Sequence, residues 1–189
     1  MPKKNKRGQW LNWSKTALPW MSIGYETQVA PINTVAFYNA IANDGKMMRP
    51  RFVKKVVKNG ETIMEFPPVV QKERICKPQT VRTLQTVLEH VVSQGLGKKA
   101  GSRLFRVAGK TGTAQNPQGR DHSTFLSFAP KDNPRIAISV YVENGGFGAS
   151  AALPIASLLE EYYLTDTVTR PWLVEMVKQK TIYYPAYGK

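Results

Sequence analysis

An α+β fold, with helices packed on an antiparallel sheet, is what this 189-residue sequence predicts. Three observations lead there. Apolar residues recur at helical spacing in three separate stretches. Asn59-Gly60 splits two short runs rich in Val, Ile and Phe, which is the strongest short-range hairpin signal. The segment from Phe105 to Val142 reads strand, turn, strand, turn, strand without a crossover helix, an order that implies antiparallel pairing.

Each element has its own local reason. Residues 1–27 mix Lys3, Lys4, Lys6, Arg7 and Lys15 with Trp10, Trp13 and Trp20 in no sustained period, so an irregular segment is expected. From Pro31 to Asn43, Ile32, Val35, Ala36, Ala40 and Ile41 follow a helical period, with Pro31 suited to the first turn and Gly45 to the cap. Residues 51–58 and 61–66 form the two hairpin strands, and Pro67-Pro68 ends them. Val81, Leu84, Val87, Leu88, Val91 and Val92 predict a second helix ending near Gly95. Phe105 to Ala108, Thr124 to Ala129 and Ile136 to Val142 are the three strand candidates. A third helix is expected over about 150–163, burying Ala152, Ile155, Ala156, Leu159 and Tyr162, and a short one over Pro171 to Val177. The tail aromatics Trp172, Tyr183, Tyr184 and Tyr187 fit either a partner contact or a cover for the core.

Twenty-seven Lys and Arg against thirteen Asp and Glu leave a formal charge of +14, which suits nucleic acid, a phospholipid surface or an acidic polymer. With 42% hydrophobic residues the chain buries a core, and the composition excludes an acidic disordered chain, a disulfide scaffold and a coiled coil. Cys76 is the single cysteine, so an internal disulfide and a cysteine-based zinc site are both excluded, and a buried thiol is expected. His90 and His122 stand far apart with no ligand spacing around either, so no metal site and no cofactor are expected. No apolar segment follows the basic N-terminus as a signal peptide requires, and no run approaches the roughly 18 apolar residues of a membrane span. As written, the chain is expected neither to export nor to anchor itself.

The most informative string is Val107-Ala108-Gly109-Lys110-Thr111-Gly112-Thr113-Ala114-Gln115. A phosphate-binding loop needs a glycine where Leu104 stands and a helix directly after Lys110-Thr111, whereas Asn116-Pro117-Gln118-Gly119 forms a turn. Lys-Thr-Gly on a strand is instead one of three signatures of penicillin-binding proteins and serine β-lactamases. Gly112 removes a side chain where a peptide backbone must come close, and Lys110 with its neighbouring hydroxyls offers donors to a carboxylate. On an edge strand such a segment pairs an extended peptide by strand addition.

Other motifs stand in the same order. These are Ile23-Gly24-Tyr25-Glu26, Thr27-Gln28-Val29-Ala30-Pro31, Ala42-Asn43-Asp44-Gly45, Arg49-Pro50, Phe128-Ala129-Pro130 and Glu143-Asn144-Gly145-Gly146. Together they resemble the C-terminal half of a class B penicillin-binding protein transpeptidase domain, a partial serine β-lactamase-like fold, over residues 22–164. The resemblance leaves a basic segment at 1–21 and a tail at 165–189. Asp121-His122-Ser123 and the Glu143 turn are most similar to the elongation type, penicillin-binding protein 2.

The resemblance implies a serine D,D-transpeptidase that cross-links peptidoglycan stem peptides ending in D-alanyl-D-alanine and is trapped by β-lactams. By carry-over, Lys110 polarises the site, Thr111 and Thr113 hold the substrate carboxylate, Gly112 admits the peptide, and the Thr113 amide completes the oxyanion hole. It also implies a glycosyltransferase partner and a full-length protein tethered to the cytoplasmic membrane with its catalytic domain outside. The family's sheet has about five strands.

The sequence departs from the family at the nucleophile. Three residues after the serines stand Ala17, Tyr25, Leu96, Phe105, Leu126, Pro130, Val142, Leu153 and Glu160, so Ser-x-x-Lys is absent. Ser-x-Asn is absent as well. This chain is therefore expected to have no catalytic residue of its own, unless an upstream partner chain supplies Ser-x-x-Lys in trans. Asp121, His122 and Ser123 are consecutive and cannot converge as a triad; His122 is expected to pack at a strand start by the groove rim. The alternative from another class is a non-catalytic module touching nucleic acid or anionic membrane through residues 3–13. Scattered basic residues elsewhere argue against it, and no nucleic-acid partner is expected.

Overall fold

The computed structural model describes residues 6–8, 16–25 and 27–181. The chain divides into two units, residues 1–30 and 31–189. In the first, α1 (Ala17–Ser22) stands where irregular chain is expected. Its single turn is closed locally: Ile23 and Tyr25 N–H both return to Trp20 O, and the Trp20 and Tyr25 rings meet edge to face at 5.0 Å. The basic residues Lys3 and Lys4 and the aromatics Trp10 and Trp13 lie outside the described residues.

The second unit carries the α+β architecture that the sequence predicts. Helix α2 (Pro31–Ala42) opens on a proline whose missing N–H costs nothing there, and closes where Asp44 and Gly45 turn left-handed and Gly45 N–H returns to Ala40 O. Two residues later, β1 (Met47–Met48) pairs antiparallel with β4 (Val70–Lys72). Between them β2 (Lys55–Lys58) and β3 (Glu61–Glu65) form the predicted hairpin, with Asn59 at φ 53° and Gly60 at φ 86° as its two-residue turn. Helix α3 (Pro78–Ser93) buries Val81, Leu88 and Val92 along one stripe.

Strands β5 (Ala108–Ala114), β6 (His122–Ala129) and β7 (Ile136–Val142) form one antiparallel sheet in the order β5-β6-β7. Among the described residues this sheet has three strands, where the resemblance implies about five for the full domain. The first begins where the expected Phe105–Ala108 strand ends: the glycine-rich Lys-Thr-Gly string has weak strand propensity, and a seven-residue register with β6 overrides it.

Alternation along β6 builds two cores. Phe128 meets Ile41, Val81, Leu88 and Ala108 under α2 and α3, while Phe125 meets Val92, Ala100, Val107 and Leu153 under α4 (Ala152–Thr165). Both rings are fully buried, and each stabilises the fold by about 2–3 kcal/mol. Cys76 is half-buried at the edge of the first core, not enclosed, because it lies in the chain leading into α3.

Helix α4 buries a different stripe from the expected one. Leu159 and Tyr162 are exposed, and Leu153, Ser157, Glu160 and Glu161 are buried with Ala152 and Ala156. The reason is polar. Glu161 accepts from Arg170 Nε at 2.9 Å and from Thr169 N at 3.1 Å, and Arg170 also donates to the carbonyls of Gly101 and Ser157. That network turns the helix toward the 3₁₀ turn Lys98–Ala100 and α5 (Pro171–Thr181). Trp172 in α5 is exposed, and Tyr183, Tyr184 and Tyr187 lie outside the described residues.

Candidate functional site

Lys110, Thr111, Gly112 and Thr113 all lie on β5, which among the described residues pairs on one side only and so forms an edge of the sheet. The register sets Lys110 opposite Leu126, Gly112 opposite Thr124 and Thr113 opposite Ser123. Strand alternation then separates the four residues. Lys110 and Gly112 share the face of Ala108 and Phe128, whereas Thr111 and Thr113 share the face of Ser123, Phe125 and Ser127. Helices α2 and α3 cover the Ala108 end of the first face, and Lys110 itself is exposed. Its ammonium donates to Thr111 O at 2.7 Å.

Close packing explains the glycines. A Cβ on Gly112 would collide with Thr124 Oγ1, and a Cβ on Gly148 would run into the Gly112 backbone. The loop after β7 therefore lies directly against the Lys-Thr-Gly strand. Gly148 N–H donates to Thr113 Oγ1 at 3.0 Å, which leaves the threonine's own proton to be given to an acceptor.

That loop is stitched down further along. Asn144 N–H donates to His122 Nδ1 at 3.1 Å, Asn116 Nδ2 donates to Asn144 Oδ1 at 2.8 Å, and Gly146 N–H donates to Asp121 O at 2.7 Å. His122 starts β6 and its ring lies 5.4 Å from that of Tyr141, as a packing residue at the strand start should. Asp121, His122 and Ser123 do not converge: Ser123 points into the α4 side, and its hydroxyl donates to Gly148 O. Phe147 stands 71% exposed beside Gly148, an aromatic surface next to the strand.

Sequence reasoning missed Gly148 and Ser123 as parts of this site. The signal available was Phe147-Gly148 directly after the Glu143-Asn144-Gly145-Gly146 turn, a further glycine where a backbone comes close. Two cavities of about 290 and 230 Å³ lie elsewhere, sharing Asn39, Met48 and Ala137 between α2, β1 and β7. Neither is lined by a Lys-Thr-Gly residue. Among the described residues no three His, Cys, Asp or Glu side chains come together as a metal site, and no helix is long and apolar enough to cross a membrane.

Comparison with known proteins decides the family. The penicillin binding protein transpeptidase domain matches residues 3–159, well over half of the chain. The chain belongs to this family. Stage V sporulation protein D of Bacillus subtilis is 30% identical over 162 residues, 79% of this chain and 25% of that protein. Peptidoglycan D,D-transpeptidase MrdA of Haemophilus influenzae is 30% identical over 163 residues, 76% of this chain and 25% of its own length. Among solved structures, the imipenem acyl-enzyme complex of penicillin-binding protein A from M. tuberculosis superposes with a TM-score of 0.73. That match has 28% identity over 80% of this chain and 35% of the other. The chain thus spans about a quarter of the length of these curated transpeptidase-family relatives.

Proposed function

We propose that this chain is the C-terminal part of a class B penicillin-binding protein transpeptidase domain, and that it contributes the substrate-aligning strand. One observation carries the reading: Lys110-Thr111-Gly112-Thr113 lies on a strand that, among the described residues, is the edge of its sheet. An extended stem peptide ending in D-alanyl-D-alanine adds to that edge as a further strand. The Thr111 and Thr113 hydroxyls, which share one face of the strand, receive its carboxylate, Lys110 on the other face polarises the site, and the Thr113 amide faces the scissile carbonyl.

In the whole protein a serine oxygen attacks that carbonyl, the peptide bond to the terminal D-alanine breaks, and D-alanine leaves with a proton on its amine. An amine of a second stem peptide then takes the acyl group and frees the serine. A β-lactam ring opened by the same serine stays as the acyl-enzyme. Because Ser-x-x-Lys and Ser-x-Asn are absent from these 189 residues, the chain alone performs neither step. Asp121-His122-Ser123 and the Glu143 turn support the elongation type, with a glycosyltransferase partner and an extracytoplasmic site for the full-length protein.

The experiment is intact-mass spectrometry after incubation with a reporter penicillin, beside a full-length class B control. The expected result is a labelled control and no adduct on this chain. A stoichiometric adduct on one of its serines would overturn the reading and make the chain a complete acyl-transfer enzyme.

A further inference from the structure

The substrate-aligning strand is an edge strand, so β6 holds it from one side only and the direction of its hydroxyls needs another anchor. The loop after β7 supplies it. Gly148 N–H donates to Thr113 Oγ1, and Gly148 sits so close to Gly112 that no side chain fits between them.

What holds Gly148 is Ser123, the direct cross-strand partner of Thr113. The Ser123 side chain is fully buried. Its hydroxyl donates to Gly148 O at 3.1 Å and accepts from Ala152 N–H at 3.0 Å, the first residue of α4. One hydroxyl has one proton to give and lone pairs to receive, so both bonds stand at once. The Gly148 carbonyl accepts from the Ser123 hydroxyl and, at the longer distance of 3.4 Å, from Leu153 N–H in the first turn of α4, while the Gly148 amide grips Thr113.

We propose that Ser123 is a positioning residue for the substrate-aligning strand: through Gly148 it sets the direction of the Thr113 hydroxyl and ties it to the start of α4. The inference rests on the reading of Thr113 as a substrate contact. With the Thr113 oxygen engaged by Gly148, its proton turns away from the loop, toward the place a carboxylate would occupy. Without that bond the hydroxyl is one of several rotamers, and its alignment must be made anew for each substrate.

Ser127 provides an internal comparison. It lies four residues further along β6 on the same face, equally buried, and its hydroxyl is close to Glu160 of α4 without a well-formed hydrogen bond among the described residues. Removing either hydroxyl deletes the same atom from the same side of the sheet. Only Ser123 is linked to the strand's chemistry.

The test uses this chain and two readouts. Hydrogen exchange of the Gly148 amide reports the bond to Thr113 directly. Ser123→Ala is expected to speed that exchange about tenfold, while Ser127→Ala leaves it within about twofold of the parent. Thr113→Val, which keeps the side-chain shape and removes the acceptor, is expected to speed it similarly and serves if Ser123→Ala does not fold. Unchanged Gly148 exchange in the folded variants, or equal acceleration in Ser127→Ala, would overturn the inference. The second readout is the NMR titration of Lys110 to Thr113 with acetyl-D-alanyl-D-alanine. Shifts in the parent weakened about tenfold in Ser123→Ala support the positioning role, and shifts of equal affinity in both would overturn it. No shifts in the parent would instead count against the substrate reading, leaving the exchange result to decide the inference.

Discussion

Glu160 and Ser127 lie inside the α4–β6 interface, both fully buried, with the Ser127 hydroxyl near enough to favour the carboxylate but no well-formed hydrogen bond on either side chain among the described residues. The nearby cation is already committed, since Arg170 gives its N–H groups to Glu161, Gly101 O and Ser157 O. Burial accordingly pushes the Glu160 carboxyl up to about 7, with the Ser127 hydroxyl and the Arg170 charge pulling weakly the other way.

The pH dependence of stability follows. Glu160 holds its proton in the folded state up to about 7 but only to 4.5 when unfolded, so its contribution is complete below 4.5 and is lost as pH rises through 7. Denaturation midpoints should therefore fall from pH 5 to pH 8. Glu160→Gln should flatten that slope and stabilise the chain at pH 8 by about 3 kcal/mol at most. A slope unchanged by the substitution would contradict the assignment.

Glu161 works with the opposite sign. Burial tends to raise its carboxyl, but hydrogen bonds from Thr169 and Arg170 outweigh this and hold it below the ordinary value. Its contribution is present above 4.5 and is lost as pH falls below that. The two adjacent glutamates thus oppose each other, Glu161→Gln removing stability at pH 7 more than at pH 3, to be read from urea midpoints across that range.

Arg170→Met leaves the Glu161 carboxylate buried without its cation and should cost about 3–5 kcal/mol. Adding Glu161→Met should recover a large part of the loss. A double variant no more stable than the single one would show that the carbonyl contacts of Arg170, not the ion pair, carry the effect.

The two close-packed glycines should differ. Gly112→Ala meets a hydroxyl that can rotate, at a cost of about 1–2 kcal/mol, and Thr124→Ala in the same chain should relieve it. Gly148→Ala meets backbone that cannot move aside, so it should cost about 3 kcal/mol and find no single suppressor. Chemical denaturation of the three variants gives the ranking.

Exposed apolar residues predict self-association. Phe52, Ile63 and Met64 around the β2–β3 hairpin are 85%, 60% and 55% exposed, a concentration of apolar surface unusual for a monomer. Light scattering should give an apparent mass that rises with concentration, and Phe52→Lys with Ile63→Lys should lower it. A concentration-independent monomer mass for the parent would refute this.

Elements whose causes are local were legible in the residues alone. Pro31 and Gly45 bound α2, the 3.6 period of Val81, Leu88 and Val92 produces α3, and Asn59-Gly60 turns the hairpin because both residues accept a positive φ. The Lys-Thr-Gly string and its ordered neighbours likewise identified the family before any coordinate did.

The rest has its causes in residues distant along the chain and emerged with the fold. β5 extends through a glycine-rich run because β6 supplies the ladder, which no local propensity reveals. The buried stripe of α4 is set by Arg170 and Thr169, which lie outside the helix, so an apolar count along the helix puts Leu159 and Tyr162 on the wrong side. The grip on Thr113 joins residues 113, 123, 148 and 152 through two hydroxyls. Hydrogen bonds over such separations obey no spacing rule, so their partners exist only once the sheet has formed.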